Sequence, residues 1–127
     1  YEWAKPSNQP YYIFDEKNKI LPLAGLWTRW EDSNSNTLFT YTVITTTPMD
    51  NIKNIHNRMP LILNHRNMDK WLNHNKFTIS ECLSDMQRGK PHLKFYPVSK
   101  IVNSSKNNSI QNIKEEKPKK ILNLFSN

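Results

Sequence analysis

The sequence is poor in glycine, in cysteine and in long apolar runs, and each shortage removes a class of protein. Only two glycines occur among 127 residues, and no phosphate loop, dinucleotide fingerprint or nucleophile elbow is present. The single cysteine, Cys82, excludes an internal disulfide framework and suits a reducing cytosol. No apolar run is long enough to span a bilayer and the start carries no signal-peptide pattern, so we expect no membrane partner and a cytoplasmic location. Metal ligands are short too: His65, His74 and His92 lack Cys, His or carboxylate partners at zinc spacing. No metal and no cofactor are expected.

Acidic residues are scarce in one region only. Residues 1–85 hold nine Lys/Arg and nine Asp/Glu, whereas residues 86–127 hold nine Lys/Arg against Glu115 and Glu116. The last third therefore carries a surplus of 9 − 2 = 7, the whole net charge of +7. Such a basic segment suggests a polyanion partner, with nucleic acid foremost. A solvated Lys-rich tail without a partner is the other reading.

What is present is a globular composition, 36% hydrophobic and 23% charged, in a chain long enough for one domain at most. Tyr1–Ala4 reads as the end of a strand, Lys5–Pro10 as a polar turn and Tyr11–Phe14 as a short strand. Leu23–Trp27 reads as a buried strand in which Gly25 allows close backbone approach. Glu31–Asn36 is a hairpin-like loop, and Leu38–Thr46 alternates as a strand with one buried face is expected to do. Two helices follow. Asn64 N-caps a segment to Asn73 bearing Met68, Trp71 and Leu72, and Thr78 with Glu81 forms a capping box opening Thr78–Arg88. Ile79, Cys82, Leu83 and Met86 make the apolar stripe of that second helix, which Gly89 ends, so Cys82 is read as a small core residue. Leu93–Val98 returns to strand, Ser99–Asn103 is a turn or short helix, and Ser104–Asn112 is a polar loop. The whole is an α+β fold beginning with an antiparallel meander.

The candidate chemistry centres on Ile44–Leu63. A β-branched run feeds a Thr cluster, a short polar helix-like segment follows, and His56-Asn57-Arg58 arrives just before Pro60. An imidazole exchanges protons near neutral pH and a guanidinium suits phosphate, so a loop bearing both can converge on a ligand. A surface histidine beside a salt-bridged arginine is the bland alternative. Glu2, set between Tyr1 and Trp3, is a second candidate, a carboxylate near apolar rings. The chain begins at Tyr1-Glu2-Trp3 without an initiator Met, which reads as a cut through the middle of a domain.

Taken together, Tyr1-Glu2-Trp3, Leu23-Ala24-Gly25-Leu26-Trp27, Ile44-Thr45-Thr46, Ile55-His56-Asn57-Arg58-Met59-Pro60 and Pro97-Val98-Ser99 with Val102-Asn103 stand in an order that resembles the SRAP family. These are the SOS-response-associated peptidases, also called abasic-site processing proteins. The resemblance covers the chain to about Asn108 and only the C-terminal portion of the family domain. It implies an α+β domain on a curved antiparallel, barrel-like sheet with a few short helices, here incomplete at the N-terminus. It further implies single-stranded DNA binding in the nucleoid and a covalent link to abasic sites. In the family an N-terminal Cys, exposed by self-removal of the initiator Met, supplies an amine that forms a Schiff base with the ring-opened sugar and a thiol that closes a thiazolidine.

By that resemblance Glu2 and His56 are the catalytic acid–base residues, and Thr45, Arg58, Trp3, Asn57, Ser99 and Asn103 lie along the DNA. A carboxylate and an imidazole in different surroundings can divide acid and base roles, and an arginine anchors phosphate without reading sequence. The departure is large: the chain starts with no cysteine, and Cys82 stands elsewhere. Either the nucleophile-bearing half is supplied from another place or the chain is an inactive truncated fragment, or else a non-catalytic single-strand binding module. We expect residues 1–112 to form the SRAP-like portion and residues 113–127 a basic tail. Within that tail Ile121–Phe125 resembles sliding-clamp docking peptides, with Leu122, Leu124 and Phe125 as anchors, although packing back on the domain is the alternative.

Overall fold

The structure is a computed structural model that describes residues 1–17, 20–86 and 91–117. The expected helix stop at Gly89 and the tail cluster of Leu122, Leu124 and Phe125 lie outside the described residues. In chain order the elements are β1 (Glu2–Ala4), β2 (Gln9–Asp15), β3 (Gly25–Glu31), β4 (Thr37–Val43), β5 (Thr45–Thr46), β6 (Met59–Pro60), α1 (His65–Leu72), α2 (Ile79–Met86) and β7 (Leu93–Pro97). Two 3-10 turns follow at Lys100–Asn103 and Ile110–Ile113. The pairs β1–β2, β3–β4 and β5–β6 are antiparallel. The α+β class holds, but among the described residues the strands form separate sheets, β1-β2-β7, β3-β4 and β5-β6, and no closed barrel.

The chain divides into two compact units, residues 1–13 with the segment from Phe95 onward, and residues 14–94. In the first unit β1 turns into β2 where the polar stretch predicted it. The Lys5–Pro6 peptide is cis and Asn8 takes a φ of 51°, a left-handed conformation that Asn tolerates well. Ser7 Oγ donates to the Ala4 carbonyl at 3.1 Å and accepts the Gln9 N–H at 3.3 Å. Tyr12 stands between Tyr1 and Tyr96, with ring centroids 5.5 and 5.6 Å away. The two outer phenols reach the second 3-10 turn, Tyr96 donating to the Ile113 carbonyl at 2.7 Å and Tyr1 to that of Asn112 at 3.3 Å. Burial, and then the neighbouring Tyr12 phenol, raises the pKa of both hydroxyls. Glu115 bridges Val98, and the Glu116 N–H donates to the Pro97 carbonyl at 2.8 Å. The segment expected as loop and charged tail is thus tied down as far as Glu116.

The second unit has its core where three extended segments meet. The Ala24 N–H donates to the Leu61 carbonyl, Leu61 to Ile44 and Ile44 back to Ala24, at 2.8, 2.8 and 2.9 Å. Ala24, Leu63 and Cys82 are buried there, with Met68, Trp71 and Phe77 packed against them. Both helix starts are as expected. Asn64 accepts the Asn67 N–H at 2.9 Å, and in the capping box Thr78 N–H donates to Glu81 at 2.7 Å while Thr78 Oγ1 accepts the Glu81 N–H at 3.3 Å. The stripes are narrower than their spacing suggested: Leu72, Ile79 and Leu83 are exposed. Cys82 is a core residue, as read.

The hairpin β3–β4 forms in full register, from Gly25 opposite Val43 to Glu31 opposite Thr37. A Cβ on Gly25 would lie 3.0 Å from the Thr42 carbonyl oxygen, which is the close approach that position was expected to need. Burial is another matter. Trp27 is 72% and Tyr41 82% exposed, and every residue of β4 is exposed. The expectations of a buried Leu23–Trp27 strand and of one buried face on Leu38–Thr46 are corrected: alternation states which residues share a face, but nothing about what covers it.

Candidate functional site

The His56 loop belongs to the second unit, and it is anchored rather than regular. After β5 the chain makes two successive turns, in which Ile52 N–H donates to the Met49 carbonyl at 2.8 Å and Ile55 N–H to that of Ile52 at 2.8 Å. These turns are the polar helix-like segment of the sequence. They hold because Ile52, Ile55 and Met59 are buried, and Asn51 Nδ2 donates to the Leu93 carbonyl at 2.9 Å. The His56 N–H closes the second turn on Ile52 at 3.2 Å, and the chain then pairs as β6 with β5.

That path brings Thr45, His56 and Arg58 together. Arg58 Nη2 donates to the Thr45 carbonyl at 2.6 Å and to Thr45 Oγ1 at 2.9 Å, and Nε lies 3.3 Å from the same hydroxyl. The guanidinium is therefore oriented by a residue 13 positions earlier, and the Arg58 side chain is exposed. His56 Nδ1 lies 3.0 Å from the Arg58 carbonyl oxygen and 3.2 Å from the Arg58 N–H. It has a backbone acceptor when protonated and a backbone donor when not, so either tautomer is satisfied and Nε2 is the edge left for a ligand. Asn57, between them, is exposed. A cavity of about 490 Å³ opens alongside, walled by Thr45, Thr46, Thr47, Met59, Pro60 and Leu61. Thr46 and Thr47 were not singled out from the sequence; the Thr cluster was the available signal.

The remaining candidates belong to the first unit. Trp3 Nε1 donates to Asn103 Oδ1 at 2.7 Å, a pair separated by 100 residues. Ser99 caps the first 3-10 turn, its hydroxyl accepting the Ile101 N–H at 3.5 Å. Glu2 lies opposite Tyr11 in the β1–β2 register, and Tyr11 packs edge-on against Phe95 at 5.9 Å. Strand alternation puts Glu2 on that side of the sheet and Trp3 on the other, so the acid has aromatic neighbours across the strand rather than beside it. Among the described residues the Glu2 carboxylate makes no hydrogen bond. Among the described residues no three potential metal ligands cluster, and no helix is long and apolar enough to cross a membrane.

The family model described as SOS response associated peptidase (SRAP) matches residues 1–105. The chain belongs to the SRAP family. It is 37% identical over 114 residues to the abasic site processing protein YoqW of Bacillus subtilis, covering 86% of this chain and 50% of that protein. With the abasic site processing protein HMCES of Xenopus tropicalis it shares 33% identity over 130 residues, 86% of this chain and 38% of that one. The fold is similar to the crystal structure of a protein from Bacteroides thetaiotaomicron, with a TM-score of 0.76 and 25% identity over 91% of this chain and 52% of the other. The SRAP membership expected from the motifs is thus shown, and the chain spans about half the length of YoqW or less of the longer relative.

Proposed function

We propose that this chain is part of a DNA-repair protein that binds single-stranded DNA and links covalently to abasic sites through a nucleophile the chain itself does not contain. The observation that carries this reading is the guanidinium of Arg58, held by Thr45 beside an imidazole whose Nε2 is open. An oriented arginine clamps a phosphate without reading bases, and the neighbouring imidazole then lies within reach of the sugar attached to it. The names of the SRAP relatives, abasic site processing proteins, support the same substrate.

The linking chemistry assigns each residue a proton. An amine condenses with the sugar aldehyde, losing water to give an imine. A thiol then adds to the imine carbon, its proton passing to nitrogen, and a thiazolidine closes. Glu2 takes and returns the amine proton, and His56 Nε2 exchanges the proton of the sugar hydroxyl as the ring opens. Of the other residues that the resemblance assigns to DNA, Trp3, Ser99 and Asn103 belong to the first unit and Asn57 to the second. Cys82 is excluded as the nucleophile because it is 5% exposed and packed with Ala24 and Leu63. That burial also favours the second reading for the chain by itself, a non-catalytic single-strand binding module.

The test is fluorescence anisotropy with a labelled single-stranded oligonucleotide carrying one abasic site, followed by a denaturing gel. The full chain is expected to bind reversibly and to leave no denaturation-resistant adduct. Arg58→Ala should weaken binding about 3–10-fold and reduce the log–log salt slope by about 0.7, the share of one phosphate contact on a single strand. An unchanged affinity for Arg58→Ala would remove the clamp, and an adduct formed by the chain alone would place the nucleophile within it.

A further inference from the structure

We infer that the outer face of α1, with the turn that follows it, is a second phosphate-contact surface, which takes the single-stranded DNA flanking the abasic nucleotide. The inference rests on the DNA reading of the His56 loop and extends it to residues outside that loop. Residues 64–78 carry Arg66, Lys70 and Lys76 against Asp69, so this short segment holds a local surplus of positive charge. Arg66 and Lys70 stand one turn apart on the same side of the helix, about 6 Å along its axis. Arg66 and Lys76 are exposed, and neither makes a salt bridge among the described residues. Lys70 Nζ stands over the Phe77 ring, 5.3 Å from its centroid, a contact that itself takes up none of its N–H donors.

The other side of the helix faces the core. Met68 and Trp71 pack against Ala24, Leu63 and Cys82, and Trp71 Nε1 donates to the Gly25 carbonyl at 3.1 Å. The turn beyond the helix is pinned as well, the Lys76 and Phe77 N–H groups donating to the Asn73 carbonyl at 2.9 and 3.2 Å. The cations are thus carried on backbone that needs no partner to order it. A helix that lies on a lipid surface keeps an apolar face for the acyl region, whereas of Met68, Trp71 and Leu72 only Leu72 is exposed here. What α1 turns outward is mainly charge, which suits a polyanion held by its phosphates alone.

A strand clamped at Arg58 can reach this face. Arg66 follows Arg58 by eight positions, so the two lie within about 29 Å of each other. The connection is fixed, with the Leu61 N–H on the Ile44 carbonyl and the Leu63 N–H on that of Pro22, both at 2.8 Å. At about 3.4 Å per nucleotide of a stacked strand, the gap is about nine nucleotides at most.

The experiment is fluorescence anisotropy with the full chain and two labelled oligonucleotides, each with one central abasic site, one about 5 and the other about 21 nucleotides long. About ten nucleotides on each side outreach the gap to α1, and about two do not. The longer oligonucleotide is expected to bind about tenfold more tightly. Arg66→Gln combined with Lys76→Gln should remove most of that gain and leave affinity for the shorter one unchanged. The log–log salt slope for the longer one should fall by about 1.4, the share of two single-strand phosphate contacts. Arg66→Lys should keep the gain, because a point charge is enough to hold a phosphate. Gln forms helix about as well as Arg, and the urea midpoint of the double variant reports whether the chain still folds. Arg58→Ala, by contrast, should weaken binding of both lengths alike. A double variant that binds the longer oligonucleotide as tightly as the parent, while Arg58→Ala does not, would overturn the α1 surface and leave the Arg58 clamp standing. Equal affinity of the parent for the two lengths would do the same. A parent that binds neither would overturn both readings.

Discussion

The second unit contains two regions of opposite character. The hairpin β3–β4 is its most regular element, with seven residues on each strand, and has almost nothing packed on it. The His56 loop has no element longer than two residues, yet it hangs from Ile52, Ile55 and Met59, all buried. Regularity and anchoring are separate properties here. Backbone pairing satisfies hydrogen bonds wherever two extended segments meet, whereas a fixed position in space comes from burial. The loop is therefore a better platform for chemistry than the ribbon, although the ribbon looks more like structure.

The sharpest way to break this contrast is to truncate one residue in each region. Ile52 is 1% exposed, so Ile52→Ala should cost about 3 kcal/mol of unfolding free energy in urea titration. Trp27→Ala, from the much larger but exposed side chain, should cost no more than about 1 kcal/mol. Equal losses would show that the hairpin is as anchored as the loop.

A smaller effect is expected within the loop itself. Thr45→Val keeps the strand and the carbonyl contact to Arg58 but removes the hydroxyl, the acceptor for Nε and a second one for Nη2. Affinity for single-stranded DNA should fall about threefold, a modest figure because the pair is exposed. Loss as large as that for Arg58→Ala would mean that Thr45 touches the DNA directly.

The smallest effect belongs to the hairpin loop and is read by pH. Asp32 accepts from Asn36 Nδ2, Asn36 N–H and Asn34 N–H at 2.9, 2.8 and 2.9 Å. The Asn36 side-chain bond, followed by its backbone bond, lowers the carboxyl pKa below 3.8. A pKa depressed in the folded state contributes order that is complete above the unfolded value and fades as pH falls through the folded one. The Asn34 and Asn36 amide resonances should therefore begin to shift below about pH 4 while those of Ile52 and Ile55 do not. Simultaneous shifts in both sets would join regions that the contrast separates.

How much of this was legible depended on the range of the interaction. The Asn64 cap and the Thr78–Glu81 box join residues three apart, and both stand as read. His56 and Arg58 are near neighbours, and their shared loop was visible for the same reason. Burial of the hairpin was misjudged because alternation is a local property and cover is not. The Thr45 clamp on Arg58 spans 13 residues, and the Trp3 bond to Asn103 spans 100. Spacing cannot supply pairs that distant. Only the resemblance to SRAP proteins put those residues on one list, and even it named them as DNA contacts rather than as contacts of one another.

One consequence follows from the two backbone partners of His56 Nδ1. A histidine that changes tautomer ordinarily gives up one hydrogen bond and must find another. Here the same neighbouring residue offers Nδ1 a carbonyl at 3.0 Å and an amide at 3.2 Å, so either tautomer meets a partner with the ring in one place. The loop keeps one shape whichever ring nitrogen carries the hydrogen.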